Sequence, residues 1–282
     1  MTKHHGSTLV LTAGLVLVLG GPVCALTIDP QSDTPLSGDF VLGPTEPGKW
    51  GDPALGTGAS VTYSFMSSGL RVDGTSSDGG TLVDASVALS DFMPVGYKAE
   101  IVAAFDVWQS VADITFSEVT DPGVDWQASG AAAVDIRIAG HAFDGAGGVL
   151  AHGFYPPQNG GPAAGDIHFD PDENWKIGFG GSGFDIFQIA AHEIGHAIGL
   201  AHECGDSGND TPCETALMNP FYTESFRGLR DDDIAGAQAL YGAAAMAPVP
   251  LPSALPLLGS VLALLGGLGL RRKRRGAVAP VA

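Results

Sequence analysis

An α+β domain is predicted by three observations. Strand-like and helix-like runs are mixed without regular alternation, several strand-like runs follow closely enough to share one sheet, and each helix-like run carries an apolar stripe on one side. Between the two end segments, roughly 218 residues remain, enough for one domain with a sizeable core.

Taken in order, residues 1–25 read as an export leader: Lys3 opens it, 9–19 form a short apolar core, and Val23-Cys24-Ala25 offers small residues for cleavage after Ala25. Residues 26–58, rich in Gly, Pro and Asp, are expected to run as irregular chain before the main domain, 59–243. Within it, 61–65 alternates as a strand. Over 94–112, Tyr97, Ile101, Ala104, Phe105, Trp108 and Val111 recur at helical spacing. Further strands are expected at 114–119, 134–138, 149–154 and 166–169. A second helix should begin at Asp185, a good N-cap, and bury Ile186, Ile189, Ala190, Ile194 and Ala197 before Gly199 ends it. Asp231, Asp232 and Asp233 suit the start of a last helix electrostatically; Ile234, Ala237 and Leu240 bury, and Gly242 closes it.

After a linker at 244–250, the apolar stretch 251–270 is followed by Arg271, Arg272, Lys273, Arg274 and Arg275, which reads as a membrane span with a basic stop, 251–275. With its Val249-Pro250-Leu251-Pro252 lead, this tail resembles the C-terminal sorting signals of the PEP-CTERM type, which bacterial exosortase-type enzymes process. The span implies membrane attachment through the tail; the resemblance implies a processing enzyme as partner and a mature protein that loses the span, the alternative being a permanent single-pass anchor, and either way an exported protein that is secreted or held at the cell surface or matrix of a bacterium.

Six of the 13 Lys+Arg lie in these end segments, leaving 7 against all 31 Asp+Glu, a net charge of about −24 for the part between. Such an acidic surface argues against nucleic acid as a partner and suits calcium outside the cell. Beyond Cys24 of the leader, only Cys204 and Cys213 remain, spaced to close a short disulfide loop in an oxidising compartment.

The chemistry concentrates in His192-Glu193-Ile194-Gly195-His196-Ala197-Ile198-Gly199-Leu200-Ala201-His202. On a helix, His192 and His196 share one face, and Gly199 can take the backbone turn that swings His202 back toward them. Three nitrogen ligands leave a position open, as a catalytic zinc requires, and Glu193 stands beside them without being a ligand. This extended motif, with the later Ala216-Leu217-Met218-Asn219-Pro220, resembles the metzincin peptidases and their Met-turn at Met218. Within that clan, Leu217-Met218-Asn219-Pro220-Phe221-Tyr222 and the closing Asp232-Asp233-Ile234 to Leu240-Tyr241-Gly242 look like the matrixin catalytic domain (peptidase family M10), a likeness that covers about residues 49–242.

The resemblance implies a zincin fold, a twisted mixed sheet with a long active-site helix and a C-terminal helix after the Met-turn. It implies a secreted zinc endopeptidase acting on protein or peptide substrates, with Glu193 as general base for the attacking water. It further implies that Pro220, Phe221 and Tyr222 wall a pocket for an apolar side chain after the scissile bond.

Matrixins also carry a structural zinc and calcium sites. His152 and His168 match two structural-zinc histidines and His141 a third, while Phe143 stands where the family places an aspartate ligand. Asp144, Asp170 and Glu173, with carbonyls of Gly145, Gly147 and Val149, are the expected calcium ligands; Asp135 and Asp166, near Gly161, are candidates for a second. No cysteine precedes the domain apart from Cys24, so a cysteine latch is absent between leader and domain; an aspartate such as Asp29, Asp33 or Asp39 is the alternative cap. Glu203 is more like astacins than matrixins. The rival function is a catalytically silent or latent member of the fold that serves as a surface-binding protein, which retention of Glu193 disfavours.

Overall fold

The computed structural model describes residues 34–35, 41–42, 48–72, 85–157, 163–203 and 216–245. The leader, Gly161, Cys204, Cys213, the three N-terminal aspartates and the tail 251–275 lie outside the described residues.

The sheet has five strands: β1 (Ala59–Phe65), β2 (Ile114–Glu118), β3 (Ile136–Gly140), β4 (Ala151–Gly153) and β5 (Ile167–Phe169), in the order β2-β1-β3-β5-β4. The first four in that order are parallel, with Ala59 opposite Ile114, Tyr63 opposite Ile136 and Ile138 opposite Ile167. Only β4 runs antiparallel, setting His152 opposite His168. Every residue of β3 is buried, as expected for the middle of a parallel sheet covered on both faces. Its Arg137 is therefore a charge inside the protein, paired with Asp121 by two hydrogen bonds of 2.9 Å. Two short strands, β6 (Trp175–Lys176) and β7 (Phe184–Asp185), pair in parallel beyond the sheet.

Helix α1 (Tyr97–Val111) buries Ile101, Ala104, Phe105 and Trp108, four of the six residues on the predicted stripe. It starts three residues later than the sequence suggested because Gly96 takes a left-handed conformation (φ +100°) and breaks the turn that follows Pro94. Phe105 stacks on Tyr63 of β1 with ring centroids 4.3 Å apart, joining helix to sheet.

Helix α2 (Ile186–Ala197) is buried along its whole length, so it runs through the domain and not over its surface. Asp185 caps it by accepting from the Gln188 amide at 3.3 Å. A helix end buried this way leaves carbonyls to be satisfied. Trp50 Nε1 donates to Ala197 O at 2.7 Å, and the Tyr241 hydroxyl donates to Ile198 O at 2.8 Å. Trp50 belongs to the main core and Lys49 is fully buried, so the packed domain takes in part of the segment expected to be irregular. Helix α3 (Asp231–Tyr241) closes the described domain, its Ala237, Leu240 and Tyr241 buried against the same core.

The expected membrane attachment through the C-terminal tail is corrected here. Among the described residues no helix is long and apolar enough to cross a membrane, and the apolar run at 251–270 that prompted the expectation is not among them.

Candidate metal centre

Three side chains meet where α2 ends. His192 and His196 leave one face of α2, and the chain then reverses at Gly199 (φ +110°) to bring His202 back. A side chain at Gly199 would put its Cβ 2.0 Å from the Gly48 carbonyl, so both the turn and the close approach demand glycine. The three Nε2 atoms form a triangle with edges of 3.1, 3.2 and 3.3 Å. Nitrogens bound at 2.0–2.1 Å in a tetrahedron stand about 3.3 Å apart, so the triangle has the size zinc requires.

The tautomers agree. His192 Nδ1 lies 2.8 Å from Leu217 O, and His196 Nδ1 lies 2.7 Å from Leu200 O. A carbonyl can only accept, so each Nδ1 carries the proton and each Nε2 presents a lone pair to the centre of the triangle. Burial first, and then the neighbouring imidazoles, push His192 down to about 3 and His196 well below its ordinary value, so both are neutral ligands at physiological pH. Two locked lone pairs facing one another inside a protein call for a cation between them, and these residues fit one.

Glu193, fully buried, lies between the helix and the edge strand β4. Neither carboxylate oxygen finds a hydrogen-bond partner among the described residues. Burial raises its pKa well above the usual carboxylate value, while the Gly153 amide acts in the opposite direction without closing a hydrogen bond. A Cβ at Gly153 would come within 2.6 Å of the Glu193 carbonyl and 3.3 Å of its carboxylate, so this glycine sets how closely β4 approaches.

Below the histidines, Met218 is buried, and the 216–220 turn is held by Asp233. Its carboxylate accepts from the amides of Leu217 (2.9 Å), Met218 (3.0 Å) and Arg230 (2.7 Å). Sequence reasoning gave Asp233 only a role at the start of α3; its place under the Met-turn becomes visible once the helix is docked. A recess of about 270 Å³, counting its open mouth, lies beside His192, lined by Gln188, Ile189, Ala216, Leu217, Phe221 and Tyr222 among others. Pro220 is buried and does not line it.

A second group joins His141, His152 and His168 in the interior, with ligand atoms within 4.8 Å of one another. His152 Nε2 and His168 Nδ1 stand only 2.6 Å apart, a hydrogen-bond distance, and the Phe143 ring packs against both His141 and His152. This group offers three nitrogens where a structural zinc takes four ligands.

The acidic residues are arranged differently. Glu173 accepts from the Gly147 and Gly148 amides, Asp144 from the Val149 amide, and Asp170 from those of Phe143 and Asp172. Asp135 accepts from Thr62, and Asp166 from the Arg137 amide beside a buried guanidinium. Among the described residues the two groups of side chains at ligand spacing are both all-histidine, while burial raises the Glu173 pKa and the Asp170 and Asp144 carboxylates lie close enough to raise it further.

The chain matches the matrixin peptidase family over residues 88–242. It is 40% identical to karilysin of Tannerella forsythia over 150 residues, covering 50% of this chain and 28% of that protein. It is also 40% identical to stromelysin-3 of Mus musculus over 162 residues (55% of this chain, 29% of the relative). Against matrix metalloproteinase-16 of Homo sapiens the identity is 41% over 167 residues, covering 54% and 25% of the two chains. The match thus spans between a quarter and three tenths of each relative's length.

Proposed function

The chain belongs to the matrixin family of M10 peptidases, and from that premise we propose that it is an exported zinc-dependent endopeptidase that hydrolyses peptide bonds in protein substrates. The observation that carries the reading is the Nε2 triangle of His192, His196 and His202, two of its tautomers locked by backbone carbonyls. A zinc ion held there supplies Lewis acidity, polarising the scissile carbonyl and acidifying water.

The chain's own residues do the rest. Glu193 takes a proton from the attacking water onto its carboxylate and passes it to the leaving amine. Its raised proton affinity suits a base that must hold that proton between the two steps. Phe221 and Tyr222 support a substrate pocket in the recess beside His192, whose largely apolar lining favours an apolar side chain after the scissile bond. Export rests on the leader at 1–25.

The test compares the full chain, zinc-loaded, with Glu193→Ala for cleavage of casein or gelatin. Cleavage by the parent, abolished by a chelator and restored by zinc, with none from the variant, supports the reading. No cleavage by a folded, zinc-loaded parent overturns it in favour of a latent or silent binding protein.

A further inference from the structure

We propose that Glu224 is a positioning residue that sets the width of the recess beside His192, and so selects a slender apolar side chain over a wide aromatic one. The inference rests on the protease reading above for its consequence, not for its geometry.

Tyr222 is one wall of the recess, and two contacts fix its hydroxyl. It accepts from the Asp185 amide at 3.1 Å, at the start of α2, and donates to Glu224 Oε1 at 2.9 Å. Glu224 is in turn pinned from the 176–181 turn. The Lys176 ammonium donates to Oε1, and the Gly180 amide donates to Oε2 at 2.8 Å. Lys176 also donates to the Gly180 carbonyl at 3.0 Å, so the 176–181 turn and the 219–226 loop share one buckle.

The next anchor along the loop lies at Arg227, which pairs with Asp185 and stacks over Phe187. Between the turn at Asn219 and Arg227, Glu224 ties the loop to the 176–181 turn. Without it, the Tyr222 hydroxyl keeps the Asp185 amide alone, and the wall that Phe221, Tyr222 and Phe226 share loses its tie to the 176–181 turn.

An exposed ion pair is ordinarily worth little for stability. The Lys176 and Glu224 side chains are 14% and 31% exposed, and three donors converge on one carboxylate, so the arrangement fixes geometry more than it adds stability. A wall free to move costs discrimination before it costs turnover. Of the polar groups in the lining, Gln188 commits its side-chain oxygen to the Gly228 amide at 2.9 Å.

The experiment uses the zinc-loaded full chain, Glu224→Ala, Glu224→Gln and Lys176→Met, with two peptides that differ only in Leu or Trp after the scissile bond. Glu224→Ala should raise the Trp-to-Leu ratio of kcat/KM by roughly tenfold, carried mainly by KM. Lys176→Met should move it the same way by less, and Glu224→Gln, which keeps an acceptor for Tyr222, should stay near the parent. Hydrogen exchange over 219–226 should quicken in Glu224→Ala by about tenfold. An unchanged ratio in cleaving enzymes overturns the proposal. Should the parent cleave neither peptide, the exchange decides alone: quickened, the buckle stands and the protease reading fails; unchanged, the buckle fails.

Discussion

The Met218 sulfur occupies the space that a side chain on Gly195 would need: a Cβ built there comes within 2.3 Å of Sδ, and within 3.2 Å of the Trp108 ring. The glycine between the two helical histidines thus lets the Met-turn press against α2 directly. Gly195→Ala gains about 1 kcal/mol of helix propensity but overpacks a buried contact at a cost of roughly 1–3 kcal/mol. The expected balance is a lower melting temperature and weaker zinc retention, read by thermal unfolding and metal analysis after dialysis. A variant that melts higher and keeps its zinc would show that the Met-turn yields.

Asp233 holds the same turn from below through the amides of Leu217 and Met218 and accepts a third, that of Arg230. Asp233→Ala leaves those buried donors unpaired, at about 1–3 kcal/mol for each one that finds no other partner. The variant should be among the least stable single substitutions in the domain, and Asp233→Asn, which keeps an acceptor, should recover part of the loss. Equal denaturant midpoints for parent and Asp233→Ala would refute the assignment.

Arg137 and Asp121 predict a pH dependence. Burial alone would raise the Asp121 pKa, but Arg137, the Gly123 amide and the Ser64 hydroxyl bring it below its ordinary value. A depressed carboxylate binds its proton less tightly folded than unfolded, so its stabilisation is present above the unfolded pKa, near 4, and is lost as pH falls through the folded value. Unfolding free energies of parent and Asp121→Asn should differ by a constant amount from pH 5 to 7 and converge below about pH 4. A difference that persists undiminished at pH 2 would assign the effect to packing.

Trp50 offers a cleaner deletion. Trp50→Phe keeps most of the apolar contact but removes the donor to Ala197 O, so about 1–2 kcal/mol of stability should be lost. Hydrogen exchange at the C-terminal turn of α2 should rise with it. Unaltered exchange at that turn would mean the carbonyl finds another donor.

The stripe Ile101, Ala104, Phe105 and Trp108 and the cap at Asp185 were legible because each depends on near neighbours in the chain. The histidine triangle was legible for the same reason, needing only helical spacing and a reversal at Gly199. What the sequence hid were relations between distant segments. The strand expected at 134–138 said nothing of the pairing of Arg137 with Asp121. Gly153 fell inside the strand expected at 149–154 without any sign that its value lies in admitting Glu193. The resemblance named Asp144, Asp170 and Glu173 as cation ligands, but it did not show that the amides of Val149, Asp172 and Gly147 donate to them.

The bonds that orient His192 and His196 end on the main-chain oxygens of Leu217 and Leu200. No side-chain replacement at either leucine can delete its carbonyl. Two of the three imidazoles are therefore buffered against evolutionary drift at the positions that aim them: the lineage can exchange either leucine for another residue that preserves the fold and keep the rings trained on the same point. Where a carboxylate performs that task, a single codon change disarms it.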